Sequence, residues 1–215
     1  MKYKGLHVRE ETWDSWIIEE VAVAYQSLGY KGRVVLDLGS NIGAFARYAM
    51  DHGAKRVVCV EPCSENINLL KKNKVEGIEI REGAVTRSHV PQVPFYKTPS
   101  NNHGLGSSYI NRSEEQVWVN NINLQALMVE VGPELIKVDI EGGEYILFNY
   151  TDDIPESVKD IMIEFHYPHE PYMQSQLLEI LKYLKSQKFK TIIEPKLVHC
   201  EGTMGYFRRG IDKNK

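Results

Sequence analysis

Three stretches of this 215-residue chain carry residues whose types and spacing could do chemistry. The first is VVLDLGSNIGAF, where an apolar run ends in Asp37 and Gly39, passes Ser40 and Asn41, and reaches Gly43 at the start of a helical pattern. Glycine at a sharp strand-to-helix turn lets a ligand approach the backbone closely. The helix start also offers unpaired N–H groups to an anionic part of that ligand. The spacing is D-x-G-x-x-x-G rather than G-x-G-x-x-G, and Ser40 and Asn41 put side chains where a dinucleotide's pyrophosphate needs bare backbone. Asp37 would repel a diphosphate and attract an ammonium or a sulfonium. A zwitterionic, cationic cofactor such as S-adenosylmethionine fits both facts.

The second stretch, VVCVEP, ends in Glu61, 22 residues after Gly39. That is the offset at which an acid on the neighbouring strand reaches a ribose diol, and its two oxygens can accept both hydroxyls. The third is a pair of strands, LIKVDI followed by Glu141 and Glu144, and DIMIEFH. Strand alternation puts Glu164 and His166 on one face. Methyl transfer to an alcohol needs alignment and a base. His166, with a reference pKa of about 6.5, is the expected base. Asp139 is expected to border the methyl site, with Glu141 and Glu144 bracing the EGGE turn. A histidine bonded to a backbone carbonyl and a glutamate paired with a lysine are the plain structural readings. Asp139, Glu164 and His166 could also bind a divalent metal, but no further carboxylate or asparagine stands at a telling spacing, so none is expected.

Short β-branched runs alternating with helical patterns must position these residues, and that rhythm indicates a parallel sheet with helices on its faces. The expected strands are RVVLDLG, VVCVE, IEIREGAV, LIKVDI and DIMIEFH. A terminal antiparallel pair, FKTIIEP and TMGYFRR, makes a seven-stranded mixed sheet. Trp13, Trp16, Ile17, Glu20, Val21 and Ala24 recur by threes and fours, predicting an N-terminal helix within residues 1–30. Thr12 is expected to cap it, Gly29 to end it, and the tryptophans to pack on the sheet rather than close over a ligand. Residues 86–115 break the rhythm with Pro91, Pro94, Pro99 and NNHGLGSSY, a candidate acceptor loop. Val117–Val131 reads as strand or helix, and His169 and Glu170 are expected beside the acceptor. One domain over 1–215 is expected.

The stretch VVLDLGSNIGAFARYAMDHGAKRVVCVEPCSENINLLKKN resembles the cofactor half of FkbM-type methyltransferases, with their D-x-G-x-N-x-G loop and E-P strand end. LIKVDIEGGEYILF is similar to that family's more distinctive K-x-D-x-E-G-x-E strand, and DIMIEFH to its fifth strand. The resemblance covers roughly Arg33 to His166. It implies the class I methyltransferase (Rossmann-like) α/β fold and methyl transfer from S-adenosylmethionine, usually onto oxygen. By that likeness Asp37, Gly39, Ser40, Asn41 and Gly43 would hold the methionine part, Glu61 with Pro62 the ribose, and Ala84 would lie near the adenine. Gly143 departs from the family's alanine or proline, and Asn123 stands where an aspartate is common.

Composition excludes other classes. Apolar residues make up 42% and charged residues 26%, an ordinary globular balance. A net charge of −3 gives no basic field for nucleic acid. Lys182, Lys185, Lys188 and Lys190 read as a solvated helix end. VDIEGG replaces the Asn/Asp-Pro-Pro-aromatic turn of enzymes acting on base amines, so a small molecule or a peptide is the expected acceptor. N-methylation and a non-catalytic cofactor-binding subunit are the alternatives. The charged start and the absence of a long apolar run predict neither signal peptide nor membrane span, hence a cytoplasmic protein. Cys59, Cys63 and Cys200 are too few for a disulfide framework and read as ordinary thiols.

Overall fold

A computed structural model describes residues 1–97, 115–148, 153–166, 171–195 and 202–210. A two-residue pair, β1 (Lys2–Tyr3) and β2 (Leu6–His7), precedes helix α1 (Asp14–Ala24). Then follow β3 (Val34–Leu38), α2 (Ala44–Asp51), β4 (Arg56–Glu61), α3 (Ser64–Asn73) and β5 (Ile78–Glu82). Three strands, β6 (Ala84–Thr86), β7 (Gln92–Tyr96) and β8 (Gln116–Asn123), lead into α4 (Leu124–Val131). The chain continues with β9 (Leu135–Val138), α5 (Glu144–Leu147), β10 (Asp160–His166) and α6 (Pro171–Ser186), and closes with β11 (Phe189–Ile193) and β12 (Gly202–Arg209).

The main sheet is the expected seven-stranded mixed one, in the order β11-β12-β10-β9-β3-β4-β5. Strands β5, β4, β3, β9 and β10 are parallel, and β12 pairs antiparallel with both β10 and β11. Strands buried on both faces should be apolar throughout. Alternate residues of β3 and β4 accordingly feed two cores. Leu36, Leu38, Val58 and Val60 pack with α4 and α6, while Val35, Val57 and Cys59 pack with α1 and α2. Cys59 and Cys63 are buried free thiols, as expected, and Cys200 lies outside the described residues. Among the described residues no helix is long and apolar enough to cross a membrane.

Three expectations are corrected. The strand-like VPFYKT within the 86–115 break belongs to β7 of a second sheet, ordered β6-β8-β7, while residues 98–114 of that break lie outside the described residues. Val117–Val131 is both strand and helix: the side chain of Asn123 caps α4 by accepting from the Ala126 N–H at 3.0 Å, and left-handed Gly132 ends it. An asparagine therefore serves the capping role that an aspartate would serve. Helix α1 also starts later and stops earlier than predicted. Thr12 Oγ1 is 3.4 Å from the Asp14 N–H, a long contact, and the helix ends at Ala24 rather than near Gly29.

At the sheet's N-terminal edge, Asp160 of β10 is buried among Arg33, Arg208 and Tyr206. Burial would push its carboxyl up, but Arg208, Arg33 and Tyr206 together hold it below the usual range. A carboxyl lowered by folding stabilises the protein above its unfolded pKa of about 3.9, and that contribution is lost as pH falls through the folded value. Asp160→Asn is expected to cost about 2–3 kcal/mol in urea unfolding at pH 7. The gap between variant and parent should close as the pH is taken below about 4.

Candidate active site

The carboxyl ends of β3, β4, β9 and β10 meet at one edge of the sheet, where open α/β sheets carry their ligands. The loop after β3 is held there by backbone geometry. Gly39 has φ +77°, and a Cβ on it would fall 1.7 Å from the carbonyl oxygen of Asp139. The approach of two strand ends thus requires glycine at position 39, a reason beyond the one that the sequence suggested. Gly43 has φ +86°, with Leu70 filling the space of a Cβ, so it too serves packing. Asn41, at φ +49°, takes a left-handed conformation that asparagine tolerates.

Glu61, at the end of β4, is brought against this loop. Its Oε2 accepts from the Asn41 N–H at 2.8 Å, and its Oε1 accepts from the Cys63 N–H at 2.9 Å and from Asn66 Nδ2 at 3.1 Å. Burial pushes its carboxyl up against the pull of these donors. With Oε1 doubly engaged, Oε2 is the oxygen with a lone pair to spare, so one hydroxyl rather than two is the natural guest. The network extends further: Asn66 Oδ1 accepts from Arg9 Nη1 at 2.9 Å, and Arg9 grips the buried Asp14 at the start of α1.

Beneath the loop lies a lysine to which the sequence reading gave no role. Lys137, in the middle of β9, is buried in register with Asp37 of β3. Its Nζ stands 3.3 Å from Asp37 Oδ1 and 3.2 Å from Asp139 Oδ2, and donates to the Gly39 carbonyl at 2.8 Å. Burial alone would lower the ammonium's pKa, yet Asp139 and Asp37 raise it above the usual lysine range. Asp37 is wholly buried, and its ammonium partner is Lys137 rather than a cofactor. The signal was present in the sequence: one acid and one base, each inside a strand otherwise apolar.

A cavity of about 590 Å³ opens above these groups. Gly39, Ser40 and Asn41 wall it on one side, and Asp139, Glu141, Glu164 and His166 on another. Asn41 Oδ1 is buried there and finds no hydrogen-bond donor among the described residues. Glu61 stands behind the loop, Ala84 is buried next to Gly83, whose N–H bonds to the Glu61 carbonyl, and Pro62 is half-buried. Helix α1 forms the remaining wall with the very stripe the periodicity selected, Trp13, Trp16, Ile17, Glu20 and Ala24. The tryptophans do not pack on the sheet: they are 59% and 55% exposed, edge to face at 6.1 Å. Asp14, Ile18 and Val21 are the buried residues of the helix instead.

His166 is tied to the EGGE turn through Glu144. Its Nδ1 lies 3.0 Å from Glu144 Oε1, which also accepts the His166 backbone N–H at 2.7 Å. Burial lowers the imidazole's pKa, but Glu144, Glu141 and Asp139 together raise it well above 6.5. Glu144 does brace the EGGE turn, accepting from the Gly142 N–H at 2.9 Å. Glu164, held up to about 8 by burial and by Asp139, and Glu20, also raised by burial and Asp139, complete the acidic floor. The predicted loop residues 101–109, His169 and Glu170 lie outside the described residues.

Residues 37–191 match the model of the methyltransferase FkbM domain. The chain belongs to the FkbM methyltransferase family. It is an S-adenosylmethionine-dependent methyltransferase. Its fold is similar to that of a methyltransferase FkbM from Methylobacillus flagellatus KT (14% identity, TM-score 0.54), covering 88% of this chain and 47% of that one. It is also similar to a ribosomal protein L11 methylase from Lactobacillus delbrueckii subsp. bulgaricus (14%, TM-score 0.53; 96% and 83% covered). A third similar structure is Sp1610 of Streptococcus pneumoniae, solved in complex with S-adenosyl-L-methionine (14%, TM-score 0.52; 94% and 75% covered). No curated protein matches.

In this FkbM methyltransferase the Lys137 ammonium is the counter-charge of a buried acid, which fixes the outcome of removing it. Lys137→Met should cost about 3–5 kcal/mol in thermal or urea unfolding, because Asp37 is left buried and unpaired. Adding Asp37→Asn should recover part of that loss.

Proposed function

We propose that this protein transfers the methyl group of S-adenosylmethionine to a hydroxyl oxygen of a small-molecule, sugar or lipid-like acceptor. The observation that carries the proposal is one cavity walled by both the Gly39–Asn41 loop and the Asp139–Glu164–His166 floor. In this reading Gly39, Ser40 and Asn41 meet the methionine part, and Glu61 Oε2 takes a ribose hydroxyl. Pro62 and Ala84 lie on the adenosine side. Asp37 and Gly43 act through the shape of the loop. The acidic floor favours the sulfonium cation and opposes a phosphate backbone, which supports a small acceptor over nucleic acid.

The acceptor oxygen attacks the methyl carbon in line as the carbon–sulfur bond breaks. S-adenosylhomocysteine leaves, and the hydroxyl proton passes to the carboxylates of the floor. Holding the two reactants in line is the main contribution, and such alignment can supply several kcal/mol. His166, fixed by Glu144 through Nδ1, presents Nε2 to the same carboxylates.

Incubation with methyl-labelled S-adenosylmethionine and a pool of hydroxylated and amine-bearing metabolites should yield labelled methyl ethers. Label confined to amine or amide nitrogen would overturn the oxygen reading. Glu61→Gln should weaken cofactor binding about tenfold or more in calorimetry, the loss expected for a bond to a charged acceptor. Unchanged affinity would remove Glu61 from the site.

A further inference from the structure

We propose that Asp139, Glu164 and His166 form a binding site for one divalent cation at the floor of the cavity. One oxygen from each carboxylate and one ring nitrogen lie within 4.8 Å of one another. His166 Nε2 stands 3.8 Å from Asp139 Oδ1 and 3.9 Å from Glu164 Oε1. These separations are too long for hydrogen bonds. They are a few tenths of an ångström beyond the ligand–ligand edge of about 3.0–3.5 Å set by metal–ligand bonds of about 2.1 Å.

The imidazole is prepared as a ligand. Glu144, fully buried, holds Nδ1 at 3.0 Å and so turns Nε2 toward the carboxylates, the arrangement in which a second carboxylate orients a metal-bound histidine. Tyr145 donates its hydroxyl to the His166 carbonyl at 2.6 Å and fixes the backbone of the same residue. The sequence offered no further carboxylate at a telling spacing, but folding supplies one: Glu141 Oε2 comes to 3.5 Å from Nε2. Glu20 reaches the same cavity from α1. Against these acids stands Lys137, which is already engaged by Asp37, Asp139 and the Gly39 carbonyl. Four carboxyl groups, those of Glu20, Asp139, Glu141 and Glu164, thus line the cavity beside one lysine.

Two carboxylates and one imidazole suit Mn²⁺ or Zn²⁺ better than the all-oxygen shells preferred by Mg²⁺ and Ca²⁺. Coordination positions facing the cavity would take the acceptor's hydroxyl oxygen and lower its pKa. That last step rests on the oxygen-transfer reading, whereas the cation site itself does not.

Titration of the metal-free protein with Mn²⁺ alone, followed by loss of the free-ion electron paramagnetic resonance signal, tests the site. One ion per chain is expected, with Glu164→Gln and Asp139→Asn each weakening binding at least tenfold. Saturating S-adenosylmethionine should leave the ion bound. No uptake at millimolar Mn²⁺, full affinity in both variants, or displacement of the ion by the cofactor would each overturn the proposal. Calorimetry of S-adenosylmethionine with the same metal-free protein and variants separates the two readings. Cofactor binding without Mn²⁺ binding sinks only the cation site, and parental circular dichroism spectra and urea unfolding midpoints certify the folding of the variants.

Discussion

The buried ammonium of Lys137 is the interaction on which the rest of the site depends. It sits where three chain segments must converge, bonding Asp37 of β3, Asp139 beyond β9 and the carbonyl of Gly39. Desolvating a lysine and a carboxylate costs several kcal/mol per ion, so the pair is no cheap source of stability. What it supplies is direction. A hydrophobic pair at these positions would fill the same volume, yet would leave the Gly39 carbonyl without a donor and Asp139 free to turn elsewhere. With Lys137 in place, the loop and the acid after β9 are held on one point, and Gly39 is the residue that allows them so close.

A second set of bonds ties the N-terminal helix to the same loop. Asp14 holds Arg9, Arg9 donates to Asn66, Asn66 donates to Glu61, and Glu61 accepts from the Asn41 backbone. Each link is a hydrogen bond with at least one ionised or buried member, the kind that costs most when one partner is removed. The wall carrying Trp13, Trp16 and Glu20 is therefore registered against the loop that it faces. Change at Glu61 would be felt at α1 as well as at any ribose.

The sheet was largely legible because strands buried on both faces are apolar runs: VVLDL, VVCVE and LIKV could be little else. The glycine loop and Glu61 were legible as neighbours, since their spacing matches adjacent parallel strands. The reasons assigned to individual residues were less legible. Spacing could not reveal that the room beside Gly39 is taken by the Asp139 carbonyl, or that Asp37 spends its charge on Lys137. The stripe on α1 was seen correctly but given the wrong neighbour, because an aromatic stripe facing a cavity has the same periodicity as one facing a core. For His166 the sequence supplied a reference pKa and no surroundings, whereas Glu144, 22 residues away, holds its Nδ1. The strands of the small β6-β8-β7 sheet were partly legible, as VPFYKT and the start of Val117–Val131, but their pairing into a separate sheet was not.

The distribution of labour across the cavity follows from rigidity. Glu164 and His166 stand on β10, paired there with β12, and Gly39 and Asp139 follow directly on β3 and β9, strands with a neighbour on each side. Groups that must meet a reacting centre within fractions of an ångström gain most from such support. The opposite wall is a single helix whose buried anchors are Asp14, Ile18 and Val21, and its cavity-facing residues are bound by no ladder. Substituting Trp13, Trp16 or Glu20 leaves the sheet and its ion pairs untouched. The α1 wall can therefore vary in shape without disturbing the strand ends, which admit little change.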